Sequence, residues 1–243
     1  MSKSDLTISL NEVLFYFTRA AFGVKAPIGL SEDFAKNNIW ISENGFDPSI
    51  CSLKALDNLD THASSLSIKF EKTKEGGHLF CPDGRLLSCL EASSSCSDWV
   101  EINRRASELK ISNVDCPFLI VSALGANNNS GLKISWTDDN QNQFQVNLLG
   151  DETWEVLSSS SKYIELSRNA NVTISSLDLT HKPNKTWTVK TFNHTEEKFK
   201  ILHNGVKVRE NWNAIYDYFS RCLVKSSAKS RALGAGAGLV DND

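Results

Sequence analysis

Apolar residues recur at helical spacing through the first sixty positions of this chain and then at strand spacing through most of the remainder. This change of period constrains the fold more than any single motif. Ser9 and Glu12 have the spacing of a capping box. Leu10, Val13, Leu14 and Phe17 then line one helical face, and Gly23 is placed to end the helix. Ser31, with Glu32 and Asp33 behind it, has the form of a second helix start. Asp47 followed by Pro48 has the form of a third, with Ile50, Leu53 and Leu56 as its apolar stripe. Strand-like sequence runs from Leu66 to Leu79, and a further helix is predicted within Leu87 to Leu109. Leu132, Ile134 and Trp136 alternate with polar residues, as do Phe144, Val146 and Leu148, so the polar stretch from Asp138 to Asn142 predicts a hairpin. Val172 and Ile174, then Trp187 and Val189, continue the alternation. Asn204-Gly205 stands between two alternating runs and predicts a second hairpin. Trp212, Ile215, Tyr216 and Phe219 predict a last helix over residues 210–221.

The pattern predicts one α+β domain over residues 1–243: a helical N-terminal part (1–62), a β-rich region (63–209), and a C-terminal helix with an ordered glycine-rich tail (210–243). The helical part is expected to pack on a mainly antiparallel sheet. With 40% hydrophobic and 23% charged residues the chain can bury a substantial core. A net charge of −3 gives no general attraction to nucleic acid or to an anionic membrane. The opening residues lack the apolar stretch of a signal peptide, and the apolar run from Pro117 to Leu124 is too short to cross a bilayer. The expectation is therefore a cytoplasmic protein with no membrane and no nucleic-acid partner, whose six cysteines are reduced thiols. His78, Cys81, Cys89 and Cys96 lack the paired spacing of a zinc site, so no metal is assigned. His181, His194 and His203 fall in turn or strand-end contexts and are expected at the surface.

The tail is the most unusual stretch. Gly234, Gly236 and Gly238 alternate with alanines, and the chain ends in Asp241, Asn242 and Asp243. The spacing is not that of a dinucleotide or P-loop motif, and no helix can follow it. A nearly side-chain-free strand of this kind can thread into a tight groove, with its terminal carboxylates docking on arginine or its clustered oxygens on a hard cation; a frayed end is the plain alternative.

Residues 9–13 (Ser-Leu-Asn-Glu-Val), Arg19-Ala-Ala, Gly29 with Glu32, and the stretch from Ser230 through the glycines to Asp243 together resemble a proteobacterial family of unknown function. Phe22-Gly23 and Ile28 depart from its usual pattern. The resemblance implies no particular reaction or cofactor, but it directs attention to the charged motif residues. Arg19 and Arg231 as anion clamps, Glu32 as an acid/base group, and the amides of Gly234, Gly236 and Gly238 with Asp241, Asn242 and Asp243 would make a pocket for a small anionic, carboxylate-bearing metabolite. The alternative is that the same charges form structural ion pairs. Two functional readings result: a metabolic enzyme for such a metabolite, or a non-catalytic accessory subunit whose tail docks into a partner or a second copy.

Overall fold

The computed structural model describes residues 6–103, 108–138, 140–150, 152–159, 169–178, 187–209 and 211–223. The order of elements is β1 (Leu6–Ile8), α1 (Leu10–Gly23), α2 (Ile28–Glu43), α3 (Ser49–Asp60), β2 (Ser64–Ser65), β3 (Lys69–Lys72), β4 (Gly76–Phe80), β5 (Leu86–Leu87), α4 (Cys89–Ile102), β6 (Glu108–Val114) and α5 (Pro117–Ala126). Then come β7 (Leu132–Thr137), β8 (Gln143–Gly150), β9 (Thr153–Ser158), β10 (Ala170–Ser176), β11 (Thr188–Asn193), α6 (His194–Asn204), β12 (Val206–Val208) and α7 (Trp212–Ser220).

The main sheet runs β11-β9-β8-β7-β10-β6-β4-β3. It is antiparallel except where β6 meets β4 and β5, and where β5 meets β2. The expected hairpin forms with Trp136 opposite Phe144 and Ile134 opposite Val146. The architecture is thus α+β with a mostly antiparallel sheet, as the periodicity implies. Among the described residues, the stretch between 63 and 209 also contributes helices α4, α5 and α6, which pack with the sheet rather than apart from it.

The capping box at the start of α1 is present: Glu12 N donates to Ser9 Oγ at 3.2 Å and Ser9 N donates to Glu12 Oε2 at 2.7 Å. Val13, Phe17, Ala20 and Ala21 form its buried face, against α2 and α7. The second helix begins earlier than its sequence suggests, directly after Pro27. Ser31 is therefore not a cap. It is buried inside the helix, where its hydroxyl donates back to Ala26 O and Pro27 O. The next helix starts at Ser49 with Pro48, not Asp47, at its N-cap; Asp47, one residue before, still accepts from Ser49 N at 2.9 Å. The helix α5, opened by Pro117 at its first turn, is buried from Pro117 to Leu124 and packs against α2 and α4. An apolar run of this length buried on all sides is a core helix.

Asn204-Gly205 does not make a hairpin. Residues 194–204 are helical, with Asn193 accepting from Glu196 N and two glutamates in the first turn. Gly205 follows with φ 75°, the left-handed conformation that glycine adopts without strain at the end of a helix. The strand after it, β12, pairs with β1 across nearly the full length of the chain. No helix among the described residues is long and apolar enough to cross a membrane. The six cysteines are free thiols, five of them buried.

Candidate functional site

Four helices enclose a cleft of about 680 Å³, within the range of small-molecule sites. Asp33, Asn37, Trp40 and Glu43 of α2 form one wall, and Ser94, Ser97, Asp98 and Glu101 of α4 the other. The C-terminal end of α5, from Ala123 to Asn129, makes the floor, and His194 and Lys198 of α6 close one end. The cleft continues past Trp40 and His194 into a recess of about 340 Å³ bounded by Glu152 and Trp154.

The closed end holds a chain of hydrogen bonds whose polarity can be worked out. The indole Nε1 of Trp154 donates to Asn44 at 2.7 Å, and an indole N–H can only donate, so the atom it meets is the amide oxygen. The amide nitrogen of Asn44 then donates to Trp40 O at 2.8 Å and faces His194 Nδ1 at 2.9 Å. With a donor in front of it, Nδ1 must accept, so the imidazole proton resides on Nε2. That nitrogen faces Glu43 Oε2 at 3.3 Å, while Lys198 Nζ lies 2.8 Å from Glu43 Oε1. The Glu43 side chain is only 11% exposed. Burial pushes its carboxyl upward, but His194 and Lys198 together outweigh that and hold it below the usual glutamate range. The result is a carboxylate between the His194 imidazole, stacked over Trp40, and an ammonium at the cleft wall.

The floor depends on Gly125. A β-carbon there would lie 2.4 Å from Trp40 Cε2. Phe118, Trp154 and His194 pack on Trp40 and restrict how far it can shift. Alanine normally improves a helix over glycine by about 1 kcal/mol. Gly125→Ala is nevertheless expected to lose about 1–3 kcal/mol by overpacking and to alter the near-ultraviolet signal of Trp40. Urea unfolding measures this, and a gain in stability would contradict the packing described.

Arg19 and Glu32 are both exposed, and no hydrogen bond or ion pair joins them. The Arg19 guanidinium lies over the Phe15 ring at 3.7 Å, and its main-chain oxygen accepts from Cys222 Sγ at 3.1 Å, next to where the described chain ends. Arg231, Gly234, Gly236, Gly238, Asp241, Asn242 and Asp243 lie outside the described residues. His194, expected at the surface, is instead a largely covered member of the cleft, with its side chain 16% exposed. The signal that could have found it is Asn193 before Glu196 and Glu197, a helix start that places His194 in the first turn. His78 bonds Ser112 Oγ at 2.7 Å and stacks on Phe80. No group of three potential metal ligands occurs among the described residues.

No family model matches the chain, and no curated protein matches it by sequence. Solved structures do. Malate dehydrogenase from Pyrococcus horikoshii OT3 is similar with a TM-score of 0.56 at 9% identity, over 88% of this chain and 96% of that one. A dehydrogenase from Sinorhizobium meliloti gives 0.58 at 8% identity, over 89% and 100%. Sulfolactate dehydrogenase from Methanocaldococcus jannaschii gives 0.53 at 8% identity, over 88% and 96%. At such low identity the likeness is one of fold alone, and function has to be argued from the site.

Proposed function

We propose that the chain is an enzyme acting on a small carboxylate-bearing metabolite in the cleft between α2, α4, α5 and α6. The observation that carries this reading is the pairing, at one end of the cleft, of an imidazole held in place through Asn44 and Glu43 with an anchored ammonium group. Lys198 would bind the substrate carboxylate with the N–H groups that Glu43 leaves free. The 3.3 Å separation between His194 Nε2 and Glu43 is long for a charge-assisted hydrogen bond, so the same N–H can turn to a substrate carbonyl or hydroxyl oxygen and polarise it. Glu43 positions both. The fold shared with enzymes named for malate and sulfolactate, both small carboxylic acids, supports the same class of substrate.

A second reading places the carboxylate at Arg19 and Arg231, with Glu32 as acid/base group and the tail covering the site. It is favoured by the contact of Cys222 with Arg19, which sets the root of the tail beside that arginine. Calorimetric titration with malate, lactate and sulfolactate separates the two. Under the first reading Lys198→Ala weakens carboxylate binding roughly 10- to 100-fold, the value of a charged hydrogen bond, and Arg19→Ala leaves it intact. The reverse pattern overturns the first reading in favour of the second.

A further inference from the structure

One face of α1 carries large apolar groups that the described residues leave open. Phe15, Arg19 and Phe22 stand at i, i+4 and i+7, so they form one stripe, opposite the face that buries Val13, Phe17, Ala20 and Ala21. Phe15 is 44% exposed and Phe22 50%. Single exposed apolar residues are ordinary, but two phenylalanines set one turn to either side of an arginine make a patch that a partner segment can cover. The Arg19 guanidinium lies over the Phe15 ring at 3.7 Å, and among the described residues it meets no carboxylate.

The end of the described chain arrives at the same place. Gly23 packs directly against the carbonyl of Tyr218 in α7, and Cys222 Sγ donates to Arg19 O at 3.1 Å. Leu223, the last residue described, is itself 49% exposed. Residues 224–243 therefore set out from beside Arg19. Near their end Leu239 and Val240 stand directly before Asp241 and Asp243. Two apolar side chains followed by carboxylates complement two aromatic rings with a guanidinium between them. The fifteen residues from 224 to 238 span about 50 Å when extended, more than a return to α1 needs. A tether of this length holds the segment near the stripe at a concentration on the order of millimolar.

We propose that the Phe15–Arg19–Phe22 stripe is the docking surface for residues 239–243 of the same chain. Leu239 and Val240 cover the two phenylalanine rings, and Asp241 or Asp243 pairs with Arg19. The segment would then clasp α1 to α7, the first and last helices described. The inference does not depend on the reading of the cleft, whose walls belong to α2, α4, α5 and α6.

The test is photo-cross-linking in the full chain carrying Phe22→p-benzoylphenylalanine, a substitution at an exposed position whose fold is checked by its melting temperature. Irradiation is expected to join residue 22 to a peptide containing residues 239–243 within one molecule, at the mass of a single chain. Arg19→Glu is expected to cut the yield about fivefold, since it turns an exposed attraction into a repulsion. Combining it with D241K/D243K is expected to restore the yield to within about twofold. A mixture of isotopically light and heavy chains separates the occupants: cross-links that join light to heavy would show the segment of a second copy on the stripe and overturn the inference. Cross-links that miss residues 239–243 would also overturn it, as would a yield indifferent to the charge reversals.

Discussion

Trp154→Ala is expected to lose about 3–5 kcal/mol of stability, as truncation of a fully buried large aromatic does. Trp154 is 2% exposed and stacks on Phe192 with ring centroids 4.3 Å apart. Trp40, Phe46 and Phe118 close around it at 5.2 to 6.3 Å, so no neighbour can swing in to fill the space. The loss also reaches the site through its indole N–H, whose acceptor is the Asn44 amide oxygen. Trp154→Phe isolates that part. It keeps most of the ring packing, strands the amide oxygen at a cost of about 1–3 kcal/mol, and frees the amide of Asn44 to rotate. The His194 tautomer is then no longer dictated. Nitrogen NMR of the imidazole reads this directly: the wild type should show a proton on Nε2 only, and the variant a mixture. A variant with unchanged stability and a pure Nε2–H signal would refute the hydrogen-bond chain described.

The same chain of bonds shows why part of the site is hidden in the sequence. Asn44, Trp154 and His194 are separated by up to 150 positions, and nothing local marks them as partners. Local signals are legible where local chemistry decides. The Ser9–Glu12 capping box and the 132–148 hairpin depend on neighbours a few residues apart. Expectation and structure part where two local signals compete. Phe199, Ile201, Val206 and Val208 alternate like strands around Asn204-Gly205, yet the Asn193 cap and the glutamates after it win, and α6 has no buried residue at all to confirm either period. Ser31 has the chemistry of a cap, but Pro27 fixes the start of the helix one turn earlier. Pro117 opening a run of apolar residues is the sequence of a core helix start; measured only against membrane thickness, it gives no structural assignment.

The helices that build the cleft are thus held by two kinds of interaction. Around Trp40 and Trp154 the packing is aromatic, with few polar atoms, each of them paired. Around the start of α4 it is polar and incompletely paired. Ser88 caps α4 with no side-chain bond of its own. The acceptor is supplied from across the fold by Asp115, at the end of β6, whose Oδ1 receives Cys89 N at 2.8 Å. A negative group at a helix N-terminus is favourable, but this one is buried together with polar atoms that have no hydrogen-bond partner among the described residues: Asp115 Oδ2, Asn58 Nδ2, Ser64 Oγ and Ser88 Oγ.

That arrangement makes stability depend on pH in a direction opposite to most carboxylates. Burial raises the Asp115 carboxyl from 3.8 to about 6, and the nearby Cys89, Ser64 and Asn58 only partly offset it. The folded state therefore holds the proton more tightly than the unfolded chain. Its contribution is fully present below the unfolded value, near pH 4, and is lost as pH rises through about 6. The rise corresponds to about 3 kcal/mol in total. Glu43 and Asp60, with lowered values, push the other way, so the wild-type profile alone does not isolate the effect. Comparison with Asp115→Asn does. The amide keeps an oxygen for Cys89 N and carries no charge at any pH. Relative to wild type, this variant should gain about 2 kcal/mol between pH 4 and pH 8, most of it between pH 4 and 6. Asp115→Ala removes the acceptor as well and should fall below the asparagine variant at both ends of the range. Urea unfolding across that range measures all three proteins. A constant difference between wild type and the asparagine variant would show that Asp115 titrates in the fold as it does in the unfolded chain, and that the unpaired polar atoms around it are satisfied by some other group.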